Sequence, residues 1–434
     1  MNVREAALSL LCEYEASGKY VNLSIGSHIA DSFSKEERGQ LTSLLYTAVE
    51  HKLTYDYCIA VYTEKSADKL SLRTRNILRL GLCQIFHMDK IPSYAAVNET
   101  VKLTSNRGER ALVNAVLRRA EREGSLPLPA REKNEARFLS VKYSVPLGTV
   151  KRLMREARDI ESLLSSYNTT PPTDLTVNTL RISVDEYLEK LSISGYSASR
   201  APFSPITVRI EGSVNPTLLP GFSEGEFFVE DEASALCASL LSPKAGERVL
   251  DCCSAPGGKS FAMAILSGDG AKIVSRDIHE SKLSLIRDGA ERLGLKSISV
   301  SARDAALLPE EQEMGTFDAV LCDVPCSGLG VIAKKPDLRY KDVSAADELP
   351  ALQLSILHSA SEYVRAGGRL VYSTCTINKK ENEEVVLRFL SENGSFTLEP
   401  ISLGSLYSDE GMMTLYPHIH KTDGFFFASL RKKK

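Results

Sequence analysis

Apolar residues recur at helical spacing from Asn2 to about Glu123, as in Ala6, Leu10 and Leu11 and again in Ile77, Leu78, Leu80 and Ile85. That spacing turns one side of a helix into a core. Strand-like alternation is nearly absent there, and Ser93 ahead of Tyr94 and Ala95 reads as a capped helix start. An all-helical domain over 1–125 follows. Pro127 and Pro129 break the pattern and mark a linker. Helical spacing resumes from Arg131 to Ser166, and after Pro171 and Pro172 come short strand-like pieces at 175–178 and 206–210. This is a small α+β segment, 131–229. From Glu230 onward, apolar runs at 249–252, 273–275, 298–300, 319–322 and 370–373 alternate with amphipathic stretches. That alternation predicts a doubly wound α/β domain over 230–434, with 424–430 as a closing edge strand.

Composition adds little that contradicts this outline. The 434 residues are 43% hydrophobic, enough for two or three cores at roughly 150 residues per domain. No apolar run approaches the roughly 18 residues of a membrane span, and Arg4, Glu5, Glu13 and Glu15 stand where a secretory signal would be apolar. The expectation is a cytoplasmic monomer with no membrane partner. Nine cysteines cannot all pair internally, and all nine read as thiols. No Cys-x-x-Cys pair occurs and no histidine is spaced with them as a ligand, so no metal is expected.

The net charge of −3 does not suggest nucleic-acid binding, but local grouping does. Lys102, Arg107, Arg110, Arg118, Arg119 and Arg122 face only Glu109 and Glu121 over one stretch; Lys334, Lys335, Arg339 and Lys341 form a second group, and the chain ends Arg431-Lys432-Lys433-Lys434. Each run alone is more often a solvated surface. Arg110, Arg118, Arg119, Arg122, Lys334 and Lys335 are the candidates for RNA contact.

The strand at 249–252 runs into Cys253-Ser254-Ala255-Pro256-Gly257-Gly258-Lys259 and then a helix. Such a turn lets a ligand approach backbone amides at a helix N-terminus. It is not a Walker phosphate loop, which needs a Gly at position 253, and its adjacent glycines do not fit a dinucleotide fingerprint. Asp277, Asp304 and Asp323 then close three successive strands. One such acid is as often a helix cap as a ligand. Three in register behind a Gly-rich turn favour a nucleoside cofactor, with ribose hydroxyls suited to Asp277.

Two further groups close strands: Cys326, in Asp323-Val324-Pro325-Cys326, and Cys375, in Ser373-Thr374-Cys375. Both thiols should face the crevice of the acids. Carbon 5 of cytosine becomes nucleophilic enough to take a methyl group when a thiolate adds to carbon 6, and a second group must then help remove the proton and release the enzyme. Two cysteines and an acid meet that need. The ordinary explanation is two small core residues, and Cys252, Cys253 and Cys322 are read that way. Asp323 is placed to meet either the cofactor or the base.

These motifs closely resemble the bacterial RsmB (Sun) class of ribosomal RNA cytosine-5 methyltransferases, over nearly the whole chain. The resemblance implies a Rossmann-like S-adenosylmethionine-dependent methyltransferase domain that modifies carbon 5 of a cytosine in 16S, small-subunit ribosomal RNA. It implies Cys375 as nucleophile and Cys326 as the group promoting product release. It also implies cofactor contacts from Cys253 through Lys259 and from Asp277, Asp304 and Asp323. The stretch from Val97-Asn98-Glu99 to Arg118-Arg119 resembles a NusB-type RNA-binding domain. Thr176-Val177-Asn178 stands where the family has Arg-Val-Asn, and Arg276 where a small residue is more common. A noncatalytic RNA-binding factor and a small-molecule methyltransferase are the rival readings. The first would bind no cofactor, and the second would not shift structured RNA.

Overall fold

A computed structural model describes residues 1–17, 33–341 and 347–434. The described chain forms two compact units, 1–168 with 335–341, and 169–334 with the residues after 341.

The first unit is helical: Val3–Ser17, Lys35–Glu50, Lys52–Thr63, Leu72–His87, Ser93–Val101, Arg107–Glu123, Glu135–Lys142, Leu147–Glu156 and Ile160–Ser166. Asn106 caps helix Arg107–Glu123 by accepting from Glu109 N, and Gly124 ends it with a left-handed φ of 66°. Its buried face, Val113, Val116, Leu117 and Ala120, packs on helix Leu72–His87 at Gly81, where an added Cβ would lie 2.6 Å from the Leu117 methyls. Ser93 proves to be the first helical residue, with Pro92 at the N-cap and no side-chain cap. The helical unit also runs past the expected linker at 125–130. Leu53 N donates to Ser144 Oγ at 3.0 Å and Thr54 Oγ1 to Val141 O at 2.5 Å, which ties helix Lys52–Thr63 to the 141–144 stretch.

Seven residues from the later part of the sequence, 335–341, belong to this unit. Arg339 is 1% exposed. Its guanidinium donates to Glu50 O, Tyr143 O, Asn168 Oδ1 and Tyr167 O at 2.8–3.2 Å. Tyr340 donates to Val49 O at 2.7 Å beneath the Lys52 ammonium, 4.1 Å from its ring.

In the second unit, strands β1 (Thr173–Val177), β2 (Ala198–Arg200), β3 (Thr207–Ile210) and β4 (Phe227–Val229) form an antiparallel sheet in the order β2-β3-β1-β4. Asp174 accepts two 2.7 Å bonds from Arg209 and one from Glu232 N, and so fastens this sheet to helix Glu232–Leu241. Asn178 is fully buried and donates to Gly225 O and Leu293 O at 2.9 and 3.0 Å, which makes it a structural tie.

The large sheet holds β5 (Arg248–Asp251), β6 (Lys272–Asp277), β7 (Ile298–Ala302), β8 (Phe317–Asp323), β9 (Val364–Thr374), β10 (Phe396–Leu398), β13 (Met412–Leu415) and β14 (Phe425–Lys432), and β11 (Ile401–Leu403) pairs only with β12 (Leu406–Ser408). The order is β10-β14-β9-β8-β5-β6-β7, with β5 to β9 parallel. The direction of winding reverses between β5 and β8, the switch point at which crevices open outside the strand ends. The last strand is not at the edge: β14 lies antiparallel between β9 on one side and β10 with β13 on the other. Its run Phe425 to Ala428 is buried throughout, as a strand covered on both faces must be. Among the described residues no helix is long and apolar enough to cross a membrane.

Candidate active site

Residues at the carboxyl ends of β5, β6, β8 and β9 line one crevice. The turn after β5 is bare backbone for a steric reason. Gly257 has φ 116°, and a Cβ there would lie 2.5 Å from the Phe261 ring; one on Gly258 would lie 2.7 Å from Glu230 Oε1. Helix Gly258–Leu266 starts at this turn with no side-chain cap, so its first amides remain for a ligand. The turn is held from beneath. Ser254 N and Oγ donate to Arg276 O, Ala255 N to Asp277 Oδ2, and Ser260 Oγ to Asp251 Oδ2 at 2.6 Å.

Asp277 also accepts from His279 N at 2.9 Å, and Asp304 from Ala306 N at 2.9 Å. Both therefore shape their own turns. Arg276 is neighbour to Asp277 on β6 and so faces the other side of the sheet. There it pairs with Glu313 at 2.6 Å and reaches the Tyr363 hydroxyl at 3.1 Å, which accounts for its size at that position.

Asp323, at the end of β8, accepts from Ser373 Oγ at 2.8 Å and pairs with Lys259 at 2.8 Å. Burial disfavours the Lys259 charge, but Asp323 and then Glu230 outweigh it and hold the ammonium above the ordinary lysine range. Glu230 is pushed up to about 7, chiefly by burial and against the pull of Lys259. Its Oε1 accepts from Ser234 Oγ at 2.8 Å and its Oε2 has no hydrogen-bond partner among the described residues.

The two loop cysteines meet: Cys326 Sγ lies 3.3 Å from Cys375 Sγ. The Cys326 thiol is pushed well above its usual range by its contact with Cys375, by burial, and by the charges of Glu381 and Asp323. Cys252 and Cys322 are buried between sheet and helices, and Cys253 is half-buried at the loop, its thiol raised by burial. No cluster of metal-ligating side chains occurs among the described residues.

Four of the six RNA candidates lie on helix Arg107–Glu123. Arg118 pairs with Glu121 and Asn98, and Arg119 with Glu123 while stacking 4.6 Å over the Tyr62 ring. Arg110, Arg122 and Lys335 are exposed. Lys334 is different from all of these. Its half-buried ammonium sits between Asp231 at 2.5 Å and Asp423 at 2.9 Å, a staple that leaves little charge for a phosphate. Glu230 and Glu381 escaped the sequence reading. Glu381 sits in the charged run Lys379-Lys380-Glu381-Asn382-Glu383-Glu384, which looks like a solvated helix start.

A parallel sheet with a Gly-rich first turn and strand-end acids at its switch point is the Rossmann-like methyltransferase fold. Residues 238–431 match the family described as 16S rRNA methyltransferase RsmB/F, residues 1–122 the NusB family, and residues 150–217 the ferredoxin-like domain of RsmF/B-like methyltransferases. The chain belongs to the RsmB/F methyltransferase family. It is 36% identical, over its full length and 99% of the relative, to a protein of Bacillus subtilis (strain 168) named probable ribosomal RNA small subunit methyltransferase B. It is 32% identical, with the same coverage, to ribosomal RNA small subunit methyltransferase B of Pseudomonas putida. Among solved structures, PH0851 superposes with a TM-score of 0.81 at 28% identity, covering 100% of this chain and 99% of that one. A methyltransferase homolog from Pyrococcus horikoshii gives 0.61 at 27% identity, covering 69% of this chain and 99% of its own.

Proposed function

We propose that this chain transfers a methyl group from S-adenosylmethionine to carbon 5 of a cytosine in 16S ribosomal RNA, through a covalent bond between Cys375 and carbon 6. The observation that carries this reading is the pair of thiols 3.3 Å apart beside the Lys259–Asp323 ion pair. The bare turn at Gly257 and Gly258 fits the cofactor's amino-acid end, and Asp277 and Asp304 its nucleoside. The bound cofactor supplies an electrophilic methyl group. The Cys375 thiolate adds to carbon 6 and makes carbon 5 nucleophilic enough to take the methyl group; the carbon 5 proton then passes to solvent as the carbon–sulfur bond breaks, and Cys326 assists by donating to the departing Cys375 sulfur. Lys259 and Asp323 are placed to hold the polar edge of a base extruded from its stack. The NusB-like helices, with exposed Arg110 and Arg122, supply RNA affinity.

RNA bearing 5-fluorocytosine lacks the removable proton and traps the adduct. The parent and Cys326→Ser proteins should form a gel-stable complex with it in the presence of cofactor, and Cys375→Ser should form none. A complex with Cys375→Ser but not with Cys326→Ser would reverse the roles.

A further inference from the structure

The thiols belong to separate loops, one after β8 and one after β9, and both loops converge on one buried carboxylate. Glu381 is 0% exposed. Its Oε2 accepts from Ser327 N at 2.8 Å and Gln353 Nε2 at 3.1 Å; its Oε1 accepts from Ser327 Oγ at 2.6 Å and Asn378 Nδ2 at 2.7 Å. Ser327 follows Cys326 directly, and Asn378 lies three residues past Cys375. Gln353 binds the same loop a second time through Pro325 O at 2.9 Å. Asn382 closes the other side, accepting from Thr374 Oγ1 at 2.6 Å and donating to Thr376 O at 3.0 Å. Every side-chain contact of Glu381 is a donor, as an ionised carboxylate requires.

We infer that Glu381 is a positioning residue that fixes the two cysteine loops against each other and so sets the Cys326 thiol against the Cys375 sulfur. Its charge adds to the influences that raise the Cys326 thiol, after the Cys375 contact and burial. This rests on the reaction proposed above and explains its division of labour. A protonated Cys326 is a hydrogen-bond donor 3.3 Å from the Cys375 sulfur and favours the thiolate there. The titratable groups acting on Cys326 include Cys375 and Tyr372 from β9 and its loop, Asp323 from β8 and Glu381, and Asp323 carries the Lys259 ammonium at 2.8 Å. None of them is an unpaired cation that would draw out its proton.

The test is alkylation of the full-length protein by iodoacetamide across pH, with Cys326 and Cys375 followed separately by peptide mass spectrometry, beside the 5-fluorocytosine adduct. In Glu381→Gln the Cys326 profile should move to lower pH, and adduct formation should slow by about tenfold or more. Glu381→Asp keeps the charge on a shorter arm. Its Cys326 profile should stay with the parent while adduct formation slows similarly, and it serves if the Gln variant does not fold. A Cys326 profile in Glu381→Gln that superimposes on the parent's overturns the proposal, as does parental adduct formation in Glu381→Asp. A shifted profile in a protein that forms no adduct even as the parent upholds the charge effect and overturns the reaction instead.

Discussion

Glu230 shows how one buried carboxyl links stability to pH. In the unfolded chain it ionises near its ordinary value of 4.5; in the folded protein burial holds its proton up to about 7. Between those values the unfolded state has given up a proton that the folded state keeps, so this residue's contribution to stability declines as pH rises through that window. Glu230→Gln cannot ionise and keeps the Ser234 contact. Relative to the parent it should gain on the order of 1–3 kcal/mol on going from pH 5 to pH 8. Denaturant unfolding of both proteins at the two pH values measures this, and an equal difference at pH 5 and pH 8 rules it out. Much of the site was legible residue by residue. Cys326, Cys375, Gly257, Gly258 and the strand-end acids sit in local motifs whose chemistry is short-range. Glu230 and Glu381 were not legible, because their importance lies in partners such as Gly258 and Ser327 that only folding brings near.

At the scale of elements, the sequence pattern located each strand of the parallel sheet but misplaced β14. Period and composition report that a strand is buried, and the neighbours that bury it come from β9, β10 and β13, which no local pattern names. Lys334 was misread for a related reason. A lysine in a basic run looks solvated until Asp231 and Asp423 arrive from 103 and 89 residues away. Through that ammonium the start of helix Glu232–Leu241, the loop beyond Cys326 and the loop before β14 become one cluster. Lys334→Met would leave two buried carboxylates facing each other and should cost about 2–4 kcal/mol, less than for a fully dry pair because Lys334 is 28% exposed. The salt dependence of RNA binding should be unchanged. A drop in its slope with stability intact would restore Lys334 as a phosphate contact.

The whole molecule divides into a helical unit and a sheet-based unit, as the hydrophobic periods require. The boundary was less legible, since helices Glu135–Lys142, Leu147–Glu156 and Ile160–Ser166 carry no mark of which core they join. Arg339 makes the division testable. Its removal takes the guanidinium from the carbonyls of Glu50, Tyr143 and Tyr167 and from Asn168 Oδ1, although the Tyr340 hydroxyl at 3.2 Å still donates to Glu50 O and Asn168 Nδ2 at 3.4 Å to Tyr143 O. Arg339→Ala should therefore destabilise that unit by about 2–4 kcal/mol. Calorimetry should show the loss in one transition, with the unfolding of the sheet-based unit in place. A uniform shift of all transitions would argue against it.

The lodging of residues 335–341 in the helical core also limits how this chain can be taken apart. A single cut near residue 168 yields an N-terminal fragment lacking the arginine and tyrosine that complete its interior. The C-terminal fragment then carries that plug with no socket. The two units are consecutive along most of the sequence yet not separable by one break, so a lineage that gained or lost the helical part by simple fusion or truncation would have had to rebuild this crossing. A synthetic peptide of residues 335–341 should accordingly stabilise the isolated 1–168 fragment.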